Sequence, residues 1–215
     1  MDFVALDVET ANSDPKSICQ IGVAVFKNGD LIETWSSLIN PQSHFDFMNS
    51  AIHGITEEDI RDAPTITDIK SKLDQLVGEN VAAIYSGFDK VALEKNFPQI
   101  NYSWLDITKV VRRTWEGVAY SGYGLANVCK LNDIEIGRHH DALADAVAAG
   151  KVLICALNAK KLKLDDCRSL IRRKISTLIA HGKMSENPNP VNMVIEGGNP
   201  DGEWFGDVLC FTGEL

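Results

Sequence analysis

The chain has 215 residues, enough for one substantial domain and a little more, with the 45% hydrophobic and 24% charged content of an ordinary soluble globular protein. A net charge of −9 argues against a protein that coats nucleic acid through phosphate contacts alone. It leaves room for an enzyme that grips one strand end, because bound cations change the local field.

Phe3-Val4-Ala5-Leu6 opens the fold as a short apolar run, the pattern of a buried strand. Side chains alternate along a strand, so Asp7 and Glu9 at its end share one face. Two adjacent carboxylates on a core strand repel each other and lose hydration, and a divalent cation between them removes both costs. The alternative is a strand that ends there with both groups in water, and the pair alone leaves both readings open. Residues 18–26, with Ile21, Val23 and Val25 alternating, and residues 31–39 read as two further strands. Lys27-Asn28-Gly29-Asp30 between them has the composition of a tight hairpin, which predicts three antiparallel strands in succession.

A polar stretch with Pro41 follows, with short helical pieces expected over 48–52 and 56–62. Residues 64–76 carry Ile66, Ile69, Leu73 and Leu76 at helical spacing. A buried strand over 81–85 feeds a helix over 89–96, and a short strand near Trp104 and Leu105 leads into a helix through Val110 and Val111. Helices are also predicted over 123–131, 141–157 and 165–179, and the Asn-, Gly- and Pro-rich stretch 181–205 reads as a linker. Strands first, then alternating strand and helix, predict an α/β fold with a mixed central sheet. The late basic residues Lys160, Lys161, Lys163, Arg168, Arg172, Arg173 and Lys174 read as a solvated helix face rather than a nucleic-acid track.

The opening Met1-Asp2-Phe3 lacks the basic stretch and apolar core of a secretory signal. No apolar run approaches the roughly 18 residues needed to cross a bilayer, so no membrane partner is expected. Five scattered cysteines, odd in number and without a C-x-x-C pair, predict free core thiols in a reducing cytoplasm.

Two more acids fall where strand ends meet helices. Asp89 lies just past the fourth strand, and Asp145 lies in the first turn of a helix for which Asp141 is a plausible N-cap. The positive end of that helix favours an ionised Asp145. Singly, each acid is accounted for by helix-terminus electrostatics. His140, five positions before Asp145, has the chemistry to take a proton from an attacking water, and His139 beside it reads as a capping or surface group.

Taken in order, Asp7-x-Glu9, Phe88-Asp89 and His140-x-Ala142-x-x-Asp145 resemble the three exonuclease motifs of the DEDDh superfamily. Ile52-His53-Gly54-Ile55-Thr56 resembles the substrate loop these enzymes carry after the third strand, and the match runs from about Phe3 to Leu157. The resemblance implies a ribonuclease-H-like, three-layer α/β fold over 1–180 and 3′→5′ release of nucleoside monophosphates with two Mg²⁺ or Mn²⁺ ions. Asp7, Glu9, Asp89 and Asp145 would be the ligands and His140 the general base. Thr10, Ala11 and Asn12, with His53 and Ile55, would meet the terminal nucleotide, Asn12 at its sugar. Phe88 could stack on a base, although a core position suits it better. The chain departs from the pattern at Ile84-Tyr85, where relatives carry His-Asn, and at Thr10-Ala11-Asn12, where many carry Thr-Thr-Gly.

Residues 206–215 resemble the opening strand of a BRCT domain, a module common in DNA repair and replication proteins. The leading expectation is therefore an exonuclease acting on single-stranded or frayed DNA 3′ ends, alongside a polymerase or repair factor. The alternatives are an exoribonuclease trimming short RNA and an inactive adaptor that recruits partners through its C-terminal module.

Overall fold

The computed structural model describes residues 1–172, 194–195 and 211–212. The chain divides into two units, Met1–Ile171 and Arg172–Leu215. Five strands of the first unit, β1 (Phe3–Thr10), β2 (Ile18–Lys27), β3 (Asp30–Leu38), β4 (Val81–Ile84) and β5 (Ser103–Asp106), lie in the order β3-β2-β1-β4-β5. β1–β2 and β2–β3 pair antiparallel, whereas β1–β4 and β4–β5 pair parallel, so the sheet is mixed as expected. Asn28 and Gly29 join β2 to β3 with positive φ of 55° and 92°, the conformation a two-residue hairpin turn demands.

Alternation along β1 splits the core into two layers. Phe3 and Ala5 face a cluster built with α4 (Ile107–Thr114), α5 (Leu125–Leu131) and α6 (Ala142–Ala159). Val4, Leu6 and Val8 face the opposite cluster, built with α2 (Lys70–Val77) and α3 (Gly87–Asn96). The result is the three-layer fold the resemblance implies, with α1 (Phe47–His53) between β3 and α2 in the chain. α6 is long and apolar enough by composition to cross a membrane, yet more than half of it is buried inside the protein. It is the central helix of the core.

Two predicted helices are corrected. Residues 56–62 form turns, because the Asp59 carboxylate accepts from both the Thr56 N–H (2.8 Å) and its hydroxyl (2.7 Å), closing a local turn that competes with a helix. Over the described part of 165–179 there is a 3₁₀ helix, Leu164–Leu170, and then a two-residue strand, Ile171–Arg172. Asp166 accepts from the Lys163 N–H at 2.6 Å and tightens that turn. The remainder of this segment, 173–179, lies outside the described residues.

In the second unit Val194–Ile195 pairs antiparallel with Phe211–Thr212. Apart from those four residues, the expected linker (181–205) and BRCT-like strand (206–215) lie outside the described residues. Cys19, Cys129, Cys155 and Cys167 are free thiols, all but Cys155 buried.

Candidate active site

β1 outruns its parallel neighbour. Its pairing with β4 ends at Leu6↔Ile84, while its pairing with β2 continues to Thr10↔Ile18. Residues 7–10 therefore project beside an open gap at the C-terminal edge of the parallel strands, the usual place for a site in an α/β sheet. The odd positions of β1 face α6, which puts Asp7 and Glu9 on that side, as the strand period predicts.

Opposite Asp7 in the register stands Gly22, and opposite Glu9 stands Gln20. A Cβ on Gly22 would lie 2.2 Å from the Ala142 backbone, so only glycine lets the start of α6 rest against β2. Gln20 fastens that contact at both ends of its amide: Nε2 donates to Asp141 Oδ2 (3.1 Å) and Oε1 accepts from the Ala142 N–H (3.1 Å). Asp141 caps the helix through the Ala144 N–H (3.0 Å). Asp145, one turn on, is delivered to the acids of β1. Asp7, Glu9 and Asp145 each offer an oxygen, and these oxygens all lie within 4.8 Å of one another.

Gly22→Ala forces α6 or β2 to move by more than an ångström. Overpacking of this kind costs about 1–3 kcal/mol, and misplacing a reacting group by about 1 Å can cost roughly 10²-fold in rate. The variant is expected to melt at lower temperature and to lose at least about tenfold in turnover. A thermal melt with a parallel assay checks both, and unaltered turnover would free the site from this contact.

Asp89 arrives from the other layer. The Ser86 hydroxyl accepts from the Phe88 N–H (3.3 Å) and starts α3, leaving Asp89 in the first turn. Its Oδ1 accepts from the Val8 N–H across the gap at 3.1 Å. The four acids, His139 and His140 line one cleft of about 360 Å³, together with Val8, Thr10, Tyr85, Ser86, Phe88 and Leu125.

Electrostatics within the cleft is severe. Burial, and then the charges of Asp89, Glu9, Asp145 and Asp141, hold the Asp7 carboxyl far above the ordinary carboxylate range. Burial, with Asp145, Asp89 and Asp141, pushes Glu9 up to about 7. Burial also lifts Asp89 to about 7, against the backbone N–H groups of Val8 and of Asp89 itself, with Asp106 and Asp145 adding to the rise. Burial and then the neighbouring His139 lower the pKa of His140, and Asp145 opposes them. Clustered, partly desolvated carboxylates are a donor set for hard divalent cations such as Mg²⁺ or Mn²⁺. The residues fit such ions.

The expected substrate residues divide into two groups. Thr10 and Phe88 line the cleft, whereas Ala11, Asn12, His53 and Ile55 do not. His53 is buried behind β1: its Nδ1 accepts from the Ile55 N–H (3.0 Å), which leaves Nε2–H to donate to the Thr10 carbonyl (3.1 Å). Asn49 of α1 reaches the same carbonyl at 2.8 Å. Asn12 is buried, and its Nδ2 donates to the His44 carbonyl (2.7 Å) and the Ser43 hydroxyl (3.0 Å). Ile55 joins a small cluster with Ala11 and Cys19. Of these four residues it is His53 that holds the backbone of Thr10, while Ala11, Asn12 and Ile55 make their contacts beside it. The core position favoured for Phe88 is corrected: it is 44% exposed, because position 88 precedes the buried face of α3.

Tyr85 and His139 were not singled out as site residues by the sequence. Tyr85 lies in the departing Ile84-Tyr85 pair, and its hydroxyl donates to the Tyr123 carbonyl (3.0 Å). His139 carries no sequence signal beyond its neighbour. Gly22 and Gln20 do carry one: a glycine and an amide on the inward face of an otherwise apolar strand mark a close backbone approach.

A family model described as an exonuclease (RNase_T) matches residues 4–153, a span that holds all four acids and His140. Exodeoxyribonuclease 10 of Escherichia coli (strain K12) is 28% identical over 182 residues, covering 83% of this chain and 79% of that protein. DNA polymerase III PolC-type of Oceanobacillus iheyensis is 27% identical over 159 residues, or 70% of this chain, but the chain spans only 11% of that polymerase's length. A solved structure of Exonuclease X in complex with 5′ overhanging duplex DNA shares the fold, with a TM-score of 0.66 at 21% identity, covering 78% of this chain and 98% of that one. With its motif residues inside a match that spans well over half its length, the chain belongs to the RNase_T exonuclease family.

Proposed function

We propose that the protein is a metal-dependent 3′→5′ exonuclease that releases nucleoside monophosphates from single-stranded or frayed DNA ends, in repair or proofreading. The observation that carries this reading is the convergence of Asp7, Glu9, Asp89 and Asp145, from three separate elements, with His140, from the turn before α6, on one cleft. When bound, two divalent cations held by the four acids would neutralise charge on the scissile phosphate and on the departing 3′ oxygen. His140 takes the proton of the water that attacks phosphorus, while the phosphorus–O3′ bond breaks and a nucleoside 5′-monophosphate leaves. Its depressed pKa keeps the ring neutral, as a base must be, through the physiological range. Thr10 and Phe88 meet the terminal nucleotide, Phe88 by stacking on a base, a reading supported by their lining the cleft and by the exposure of the Phe88 ring. His53 serves that nucleotide indirectly, by holding the Thr10 carbonyl, and Ala11, Asn12 and Ile55 by the contacts they make beside that strand end.

Likeness to an exodeoxyribonuclease supports DNA over RNA. Likeness to a segment of PolC-type polymerases, with the BRCT-like pattern of 206–215, supports a polymerase or repair factor as partner. Free thiols suit a cytoplasmic setting. The test is incubation with 5′-labelled single-stranded DNA and with RNA of the same sequence, in Mg²⁺ and in EDTA. A descending ladder on DNA, absent in EDTA, is expected. A ladder on RNA alone would make it an exoribonuclease, and no ladder on either would make it an adaptor.

A further inference from the structure

Among the described residues, Asp145 is the one acid common to two clusters of potential ligands: Asp7 and Glu9 on one hand, His139 and His140 on the other. Among the described residues, it alone of the four is held by a side-chain nitrogen. His139 Nδ1 lies 3.0 Å from Asp145 Oδ1 and 2.9 Å from Oδ2, and the His140 backbone N–H adds a third contact to Oδ2 at 3.2 Å. The two imidazoles stack with centroids 4.0 Å apart, and His140 takes a left-handed φ of 65°. A residue with a Cβ adopts that region at a cost, so the turn that sets the two rings side by side is held by its contacts.

Torsion about the last bond of an aspartate is broad and roughly two-fold, so a carboxylate on the first turn of a helix is not fixed by its backbone alone. A ring nitrogen bridging both oxygens fixes it, and an ionised carboxylate still has lone pairs for a cation, since it accepts at about four sites. We propose that His139 is a positioning residue: it sets the orientation in which Asp145 meets a divalent cation, while its stacked neighbour His140 carries the proton. The two consecutive histidines thus divide the work. This rests on the metal-dependent reading above, and it assigns His139 no contact with substrate. Outer hydrogen bonds of this kind are typically worth about 10–100-fold in metal affinity.

The test is calorimetric titration of the metal-free full chain with Mn²⁺, for the wild type, His139→Ala and His139→Asn, with a thermal melt of each metal-free form. His139→Ala is expected to weaken Mn²⁺ binding about 10–100-fold with little change in melting temperature. His139→Asn, whose amide nitrogen can replace Nδ1, is expected to recover most of the affinity. Unchanged or tighter Mn²⁺ binding by His139→Ala overturns the proposal. So does a lowered melting temperature at unchanged affinity, the mark of a purely structural helix contact. A wild-type chain that takes up no Mn²⁺ would sink the metal-dependent reading itself and this proposal with it.

Discussion

Asp7→Ala is expected to lose more than about 10³-fold in nucleotide release while the exonuclease unit stays folded. Asp7 sits at the centre of the acid cluster and feels Asp89, Glu9, Asp145 and Asp141, all of one sign. Its ionisation therefore works against folding, a cost that a cation held among the four acids would offset. The same shifts fix a pH signature. Glu9 and Asp89 titrate at about 7 in the folded chain, and Asp7 also lies far above its ordinary value. An unfolded carboxyl titrates near 4. Between those values the native state holds more protons than the unfolded one, so stability is fully present below about 4 and is lost as pH rises through about 7. Metal-free wild type should melt at progressively lower temperature across that window, and Mn²⁺ should restore the loss at pH 8. Asp7→Ala should show a shallower fall and a smaller restoration. Wild-type turnover in the variant would remove Asp7 from the ligand set, and loss of cooperative melting would make its role structural.

Much of this site was legible because its information is local. The alternation of β1 predicts that Asp7 and Glu9 share a face, and the face they share is the one α6 covers. Asp145 is legible at a helix start through its N-cap Asp141, and Asp89 through the strand end that feeds the next helix, where the structure adds the Ser86 cap. What was not legible depends on contacts between distant segments. Gly22 and Gln20 seat α6 from about 120 residues away in sequence, and nothing in the pattern of β2 alone says what approaches it. His139 could not be told from a surface group, because its partner's orientation follows from the turn of the backbone at His140. Local hydrogen bonds also defeated periodicity. Thr56 with Asp59 turns a stretch read as helical into turns, and Thr65 with Asp68 delays the next helix to Lys70. Phe88 misleads for a related reason: an aromatic beside a buried acid suggests core, but consecutive residues on a helix point about 100° apart.

His140→Ala tests the other half of the chemistry. Burial and the adjacent His139 both disfavour a charged His140, so the ring is neutral down to below its ordinary pKa near 6.5. At saturating Mn²⁺, which keeps the four acids ionised, a base in this state loses activity only when it is protonated, which places its acid limb in the wild-type rate profile below about 6.5. Removing the ring should lower turnover by about 10²–10⁴-fold and, at saturating Mn²⁺ where the four acids are held ionised, take that limb with it, because no other group then remains whose protonation stops the proton transfer. Mn²⁺ affinity should be retained, since the contact of residue 140 with Asp145 is made by its backbone N–H, which alanine keeps. That retention separates His140 from His139. If the variant kept the wild-type limb and rate, the proton would have to leave by another route, and the stacked pair would be serving Asp145 alone. If it lost Mn²⁺ along with its activity, the left-handed turn at 140 would be what the side chain maintains.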